Sequence, residues 1–324
     1  MSMNRQKLII LTGPTAVGKT ELSIRLAKEI GGEIISADSM QVYHGMDIGT
    51  AKISKEEMQG VKHHLLDCFE PDEEFNVAIF QKMAREAIED IASRGCIPIL
   101  TGGTAFYIQA LLYGINFNEE EHDDAYRNSL YEIGKDEEGK KKLHAMLAET
   151  DKEYAETVHY NNMKRVVRAL EYQHFTGRKF SEYNEEQKKR PPEYDFCYFV
   201  LNDDRTHLYD RINKRVDIMV DNGLLKEVMS LKEKGYRDDL VSMQGVGYKE
   251  VLNYINGTMS FEESVELIKK NTRHFAKRQL TWFRKEDDVI WVNKPDFSYD
   301  DTKILEYIYA NTAKIGISKQ NERG

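Results

Sequence analysis

The chain has 324 residues, 40% of them hydrophobic and 31% charged. That balance excludes a disordered or fibrous protein, and the length points to two domains or one domain with a large insertion. A formal net charge of −9 excludes a globally basic nucleic-acid binder, but phosphate is bound by local charge density and not by the sum.

In chain order, an apolar run Leu8–Leu11 reads as a buried strand and is followed by Gly13-Pro14-Thr15-Ala16-Val17-Gly18-Lys19-Thr20. Four apolar residues are too few for a signal peptide or a membrane span, so a cytoplasmic protein is expected. Leu22, Leu26 and Ile30 share one helical face, and Gly31-Gly32 ends that helix. A second strand over Glu33–Ala37 runs into Asp38, and a third is expected at His64–Asp67. Val77–Ser93 has helical spacing. Ile97–Leu100 is again a strand, broken by Gly102-Gly103. Alternation of this kind predicts an α/β fold, a P-loop NTPase-like parallel sheet flanked by helices.

From Asn118 to Glu193 the chain is charged, without strand-like runs, and its apolar residues fall at helical spacing, as in Met163, Val166, Val167 and Leu170. This predicts an all-helical insertion domain over 116–194, closed by Pro191-Pro192, within a core made of 1–115 and 195–324. The run Phe196–Leu201 returns to the sheet. Helices near Thr206–Asn222, Leu224–Lys234 and Phe261–Arg284, a strand Val289–Val292 and a helix from Asp301 complete the core.

The segment 13–20 fits G-x-x-x-x-G-K-[ST] between a strand and a helix. Its backbone amides and the helix N-terminus suit a diphosphate, Lys19 adds a mobile charge, and Thr20 can hold Mg2+. A hydrolysing NTPase usually has a further strand ending in an acid that helps hold the metal; Ile97–Leu100 ends instead in Thr101-Gly102-Gly103-Thr104. The strand that does end in a carboxylate is 33–37, expected next to the first. Strand ends line the ligand crevice of an open parallel sheet, which aims Asp38 at the phosphate loop as a base or metal partner. An Asp before Ser39 can also simply cap a turn.

Two other clusters invite chemistry. Between Leu267 and Lys285 stand seven basic residues and no acidic one, Lys269, Lys270, Arg273, Lys277, Arg278, Arg284 and Lys285, either a solvated helix face or a phosphate-binding one. The doublet His63-His64 has no companions at metal-ligand spacing and reads as a packed pair on a strand. Cys68, Cys96 and Cys197 are far apart with no CxxC pair, so they frame no zinc site and suit a reducing compartment.

Further blocks are more specific: Asp38-Ser39-Met40-Gln41-Val42-Tyr43, Gly45–Lys52, His63–Asp67, Gly102-Gly103-Thr104-Ala105-Phe106-Tyr107, Lys164–Glu171, Gly245–Glu250 and Lys277–Arg284. With the phosphate loop, and in this order, they resemble the tRNA dimethylallyltransferase family. The type is bacterial, since no Cys/His cluster like the zinc finger of eukaryotic relatives follows the last helix. The resemblance implies a transferase that moves a dimethylallyl group from dimethylallyl diphosphate to the exocyclic amine of the adenosine 3′ of the anticodon, in tRNAs reading codons that begin with U. It implies Asp38 as general base, Thr104 as a catalytic-turn contact to the acceptor, and Arg215 on the diphosphate, with Arg211 a competing candidate. It assigns tRNA contacts to Asp38, Ser39, Met40, Gln41, Thr104, Arg127, Lys164, Arg165, Arg168, Lys277, Arg278 and Arg284, with Gln41, Gln244 and Tyr248 as readers of base edges. The insertion becomes a tRNA-binding domain, the partner the anticodon stem-loop, and the protein a monomer with no membrane partner.

Rival readings are an adenylate isopentenyltransferase, which needs little anticodon-binding apparatus; a P-loop small-molecule kinase, in which Asp38 would deprotonate a hydroxyl; and a non-catalytic RNA-binding P-loop module. Trp282 and Phe283 could stack on RNA, but a core face of the last long helix is the plainer reading.

Overall fold

The computed structural model of the chain describes residues 5–116 and 124–319. Its contacts divide into two compact units, one made of 1–112 with 193–324 and the other of 113–192.

The first unit is built on β1 (Lys7–Thr12), α1 (Lys19–Ile30), β2 (Gly32–Ala37), β3 (His63–His64), α2 (Val77–Ser93), β4 (Ile97–Gly102) and α3 (Ala105–Leu112). A helical unit intervenes, comprising α4 (Asp124–Ile133), α5 (Glu137–Thr150), α6 (Lys152–Thr157), α7 (Met163–Thr176) and α8 (Phe180–Lys188). The first unit then resumes with β5 (Asp195–Asn202), α9 (Arg205–Asp221), α10 (Leu224–Glu233), α11 (Tyr248–Ile255), α12 (Phe261–Phe283), β6 (Val289–Asn293) and α13 (Asp301–Thr312).

The six strands pair in parallel in the order β3-β2-β4-β1-β5-β6. Strands covered on both faces must be apolar throughout, which is why KLIILT and DFCYFVLN carry near-continuous hydrophobic runs. One side of the core joins Ile9 and Leu11 of β1, Leu22, Leu26 and Ile30 of α1, Phe199 and Leu201 of β5, and Ile304 and Ile308 of α13. Each such side chain taken fully from water contributes roughly 1.5–3 kcal/mol. Helix starts are locally encoded: Asn76 accepts the amides of Ala78 and Ile79 at the head of α2, and Ser260 with Glu263 forms a capping box on α12.

Two expectations are corrected. The strand ending at Asp38 is not beside β1, because β4 pairs with both β1 and β2 and lies between them. Nor does the third strand run to Asp67. Only His63 and His64 pair, with Ile34 and Ile35, because Leu65 and Asp67 take positive φ angles of 61° and 48° that turn the chain out of the sheet. The histidines themselves are structural: His63 Nδ1 meets Val61 O at 2.9 Å and His64 Nε2 meets Glu33 Oε2 at 2.7 Å. Helix α11, within the Gly245–Glu250 block and beyond it, had no counterpart among the expected elements.

The helical unit has its own core, in which Leu130, Leu143, Leu147, Val166, Val167 and Leu170 come together. Asp151 stitches it by capping α6 through Tyr154 N at 3.1 Å and accepting Ser181 N at 2.7 Å. Among the described residues no helix is long and apolar enough to cross a membrane.

Candidate active site

Parallel strands all release their chains at one edge of the sheet, and the chemistry-bearing residues collect there. Between β1 and α1 the loop 13–20 turns tightly. Gly18 takes φ 102° as the residue before α1 and supplies no side-chain cap, a conformation that L side chains rarely adopt. The first-turn amides of α1 are therefore left for an external acceptor, and the helix dipole favours an anion there. Lys19 arches over the loop and donates to Gly13 O at 2.9 Å and Pro14 O at 2.8 Å. Burial, and next the neighbouring Arg215 guanidinium, pull its ammonium down to about 7, partly offset by the Asp38 carboxylate.

Asp38 follows β2 at the same edge. Its Oδ1 accepts Met40 N at 2.9 Å and Gln41 N at 3.4 Å, so the turn-capping role is real. Among the described residues Oδ2 accepts no hydrogen bond. Its charge acts on Lys19 and on Arg215, and thus Asp38 and the phosphate loop share one electrostatic environment despite the intervening β4.

Both candidate arginines of α9 reach this region. Arg215 donates to Thr50 O at 3.4 Å. Burial lowers its affinity for a proton, opposed by Asp38 and reinforced by Arg211. Arg211 Nε donates to Ala16 O, within the phosphate loop, at 2.7 Å. A fourth cation, beside Lys19 and the two arginines, had no sequence signal. The Lys294 ammonium lies against Gly18, 3.2 Å from where a Cβ would stand, and pairs with Asp301 at 3.6 Å.

The Gly102-Gly103-Thr104 turn closes the other side. Thr12 Oγ1 donates to Gly102 O at 2.6 Å, and Thr104 N donates to Ala37 O, one residue before Asp38, at 3.2 Å. Thr104 is half-buried at the head of α3. Gln279 of α12, overlooked in the sequence although it sits inside the Lys277–Arg284 block, spans loop and turn. Its Oε1 accepts Thr15 N at 2.9 Å and its Nε2 donates to Gly103 O at 2.9 Å.

A small cavity beside α1 is lined by Thr20, Ser36, Gln41, Ala51, Ile53 and Thr101. Thr101 Oγ1 is buried there without a hydrogen-bond partner, and Thr20 is exposed in the first turn of α1. Among the described residues no three His, Cys, Asp or Glu side chains cluster as metal ligands. Oxygen donors at hand include the hydroxyls of Thr20, Ser36 and Thr101 together with whatever the ligand brings, a hard set of the kind Mg2+ takes.

The residues expected to touch RNA fall into two groups. Lys164 and Arg165 at the head of α7 are exposed, and Arg168 is half-buried. Lys277, Arg278 and Arg284 are exposed along and just beyond α12, Arg278 lying over the Phe275 ring at 5.8 Å. Ser39 and Met40 are half-buried beside Asp38. Gln244 is exposed, its amide donating to Asp238 O at 2.6 Å. The other group is committed inside the fold. Gln41 donates to Thr50 O at 3.3 Å and accepts Ser36 Oγ at 3.4 Å. Arg127 grips Glu171 through two bonds, at 2.7 and 3.2 Å. Tyr248 corrects the expectation of a base reader. It is 1% exposed, and its hydroxyl donates to Glu227 Oε1 at 2.7 Å. Of the two aromatics at the end of α12, Phe283 is buried, while Trp282 is half-buried, its Nε1 donating to Glu286 Oε1 at 2.9 Å and its ring in a T-shaped contact with Phe106.

Comparison with known proteins agrees with this geometry. The sequence model of the IPP transferase family matches residues 41–286. The tRNA dimethylallyltransferase of Lachnoclostridium phytofermentans is 57% identical over 309 residues, covering 95% of this chain and 98% of that protein. That of Acetivibrio thermocellus is 48% identical over 310 residues, covering 96% and 98%. Among solved structures, the full-length tRNA isopentenylpyrophosphate transferase of Bacillus halodurans superposes with a TM-score of 0.72 at 42% identity, over 96% of this chain and 98% of that one. A eukaryotic dimethylallyltransferase acting on tRNA superposes with a TM-score of 0.80 at 31% identity, over 98% and 82%. Matched from Gln41, shortly after β2, to Glu286, just past α12, and in near full-length register with these relatives, the chain belongs to the IPP transferase family.

Proposed function

We propose that this protein transfers a dimethylallyl group from dimethylallyl diphosphate to the exocyclic amine of the adenosine 3′ of the anticodon, in tRNAs reading codons that begin with U. The observation that carries the reading is the convergence of Lys19, Arg215 and the Asp38 carboxylate on one strand edge. A diphosphate leaving group needs cations and amides; a weakly nucleophilic aromatic amine needs a nearby base. The relatives above are named tRNA dimethylallyltransferases.

In the proposed reaction the allylic carbon–oxygen bond breaks and its electron pair stays on the diphosphate, where Lys19, Arg215 and the loop amides stabilise the growing charge. The amine nitrogen bonds to the allylic carbon, and its proton passes to Asp38, an arrangement expected to contribute about 10²–10⁴-fold. Mg2+, held by Thr20 and the diphosphate oxygens, would neutralise the leaving group. The target adenine must leave the loop's base stack, which costs little in a single-stranded loop. Exposed Lys164, Arg165, Lys277, Arg278 and Arg284 suit salt-sensitive phosphate contacts. The protein is read as a cytoplasmic monomer.

The test is a label-transfer assay with Mg2+, labelled dimethylallyl diphosphate and three acceptors. These are an unmodified anticodon stem-loop with adenosine 3′ of the anticodon, the same loop with guanosine there, and free AMP. Label in the first alone is the expected result. Label in AMP moves the activity to a free-nucleotide acceptor. No label from folded protein turns attention to ATP-dependent phosphorylation of a small molecule.

A further inference from the structure

We infer that Gln279 is a positioning residue that sets the donor loop against the acceptor turn, and that it acts on the transfer step itself. The inference rests on the function proposed above, since only in that reaction do the two loops hold two substrates.

Donor and acceptor sites here are separate pieces of chain. The phosphate loop follows β1; the acceptor turn, 102–104, follows β4, and Asp38 follows β2. Sheet pairing brings these strand ends into one row but does not determine how far each loop leans beyond the edge. On one side the turn is tied to the base: Thr104 N donates to Ala37 O at 3.2 Å. On the other side Gln279 ties the phosphate loop to the turn, beyond the Thr12–Gly102 bond at the strand ends. One end of its amide accepts Thr15 N and the other donates to Gly103 O, both at 2.9 Å. Phosphate loop, Gln279, turn and Asp38 form a continuous frame around the position where donor carbon and acceptor nitrogen must meet.

Three features make this more than a buried glutamine finding partners. Gln279 is only 5% exposed, and each end of its amide is bonded to one of these two loops. The turn is shaped around it: a Cβ on Gly103 would stand 2.2 Å from Gln279 Nε2, so a larger residue there would push the amide away. And the amide is polar at both ends, so no apolar residue of similar size can make either bond. Leucine or methionine could fill a similar volume but would leave Thr15 N and Gly103 O without these partners; an amide is needed to bind both backbones.

Rate falls steeply with misalignment of reacting groups. A displacement of about 1 Å can cost on the order of 10²-fold without weakening either substrate's own contacts. A residue that only builds the core would instead lower stability, and one that only forms the cradle would weaken diphosphate binding. These outcomes separate cleanly.

The experiment compares full-length wild type, Gln279→Met, Gln279→Glu and Gly103→Ala. Single-turnover transfer rate at saturating donor and stem-loop is measured, along with Kd for inorganic diphosphate with Mg2+ by calorimetry and the thermal midpoint. Gln279→Met removes both bonds at similar length. Gln279→Glu keeps an acceptor for Thr15 but sets a carboxylate against Gly103 O. Gly103→Ala leaves Gln279 in the chain and displaces its tip, so the idea stays testable even if a core substitution fails to fold. Expected is a rate about 10–100-fold lower in every variant that folds, with Kd for diphosphate within about threefold of wild type. Folded variants with wild-type rates overturn the inference, as does a rate loss matched by an equal loss of diphosphate affinity. Wild-type protein that transfers nothing sinks the proposed function instead, and the diphosphate titration distinguishes that case from a misfolded sample.

Discussion

Tyr248 gives its hydroxyl proton to Glu227 Oε1 at 2.7 Å, and the same carboxylate accepts the amides of Asp47, Ile48 and Gly49 at 2.9, 2.7 and 3.0 Å. Glu227 stands in the first turn of α10, where the helix dipole favours its charge. It anchors the loop that offers Thr50 O to both Gln41 and Arg215. Tyr248 thereby acts on the site through the loop.

Replacing Tyr248 by Phe leaves Glu227 its three amides but removes a hydrogen bond to its charged carboxylate, and should cost about 1.5–3 kcal/mol of stability. Glu227→Ala orphans all of them and should cost more, with faster hydrogen exchange at Asp47–Gly49. Urea unfolding and exchange mass spectrometry check both. Stem-loop affinity is expected to be unchanged in Tyr248→Phe; a specific loss, with stability intact, would restore the tyrosine as a base reader.

Lys19 predicts a proton linkage. Its pKa is lowered from 10.5 to about 7, by burial first and by Arg215 next, so between these values the unfolded chain holds a proton the folded one lacks. Stability from this group is therefore lowest below pH 7 and rises with pH across that window. Diphosphate favours the charged lysine, so donor binding should draw in a proton above pH 7 and weaken as pH rises. Calorimetry at pH 8 in buffers of different ionisation enthalpy measures the uptake. Subtracting a Lys19→Arg variant, which stays charged, cancels the ligand's own protons; equal uptake in both would refute the linkage.

For Asp38, the Asn variant keeps an oxygen for the Met40 and Gln41 amides and so preserves the turn, but it cannot take a proton. Transfer should slow by about 10²–10⁴-fold while donor and stem-loop affinities hold. A rate within a few fold of wild type would remove Asp38 from the role of base.

The arginines divide by environment. Glu171 has 4% of its side chain exposed and is gripped by Arg127. Arg127→Ala leaves that buried carboxylate short of donors and should destabilise the helical unit by about 1–3 kcal/mol. By contrast, Lys277→Ala with Arg278→Ala touches only exposed side chains. The thermal midpoint should stay put, while the slope of log affinity against log salt for the stem-loop falls by about 1.4–1.8. Filter binding across a salt series decides it; an unchanged slope would clear α12 of phosphate contacts.

What the sequence determined alone was whatever is written by near neighbours. A phosphate loop is eight consecutive residues whose tight turn uses positive φ at Gly13, Ala16 and Gly18, so the motif carries most of its own geometry. Strand runs, helical spacing and the Asp38 turn are likewise local, and α2 and α9 come within a residue or so of their expected bounds. What the tertiary structure decided was everything that depends on contact between distant segments. Gln279 meets Thr15 across 264 positions and Gly103 across 176. Glu227 reaches its amides across about 180, and Lys294 arrives at Gly18 from beyond β6. No spacing rule encodes such meetings, because they follow from strand order, and the order β2-β4-β1 differs from the order in which the chain lays those strands down. A buried amide or carboxylate looks the same in sequence as a solvated one, and only packing reveals which backbones it must satisfy.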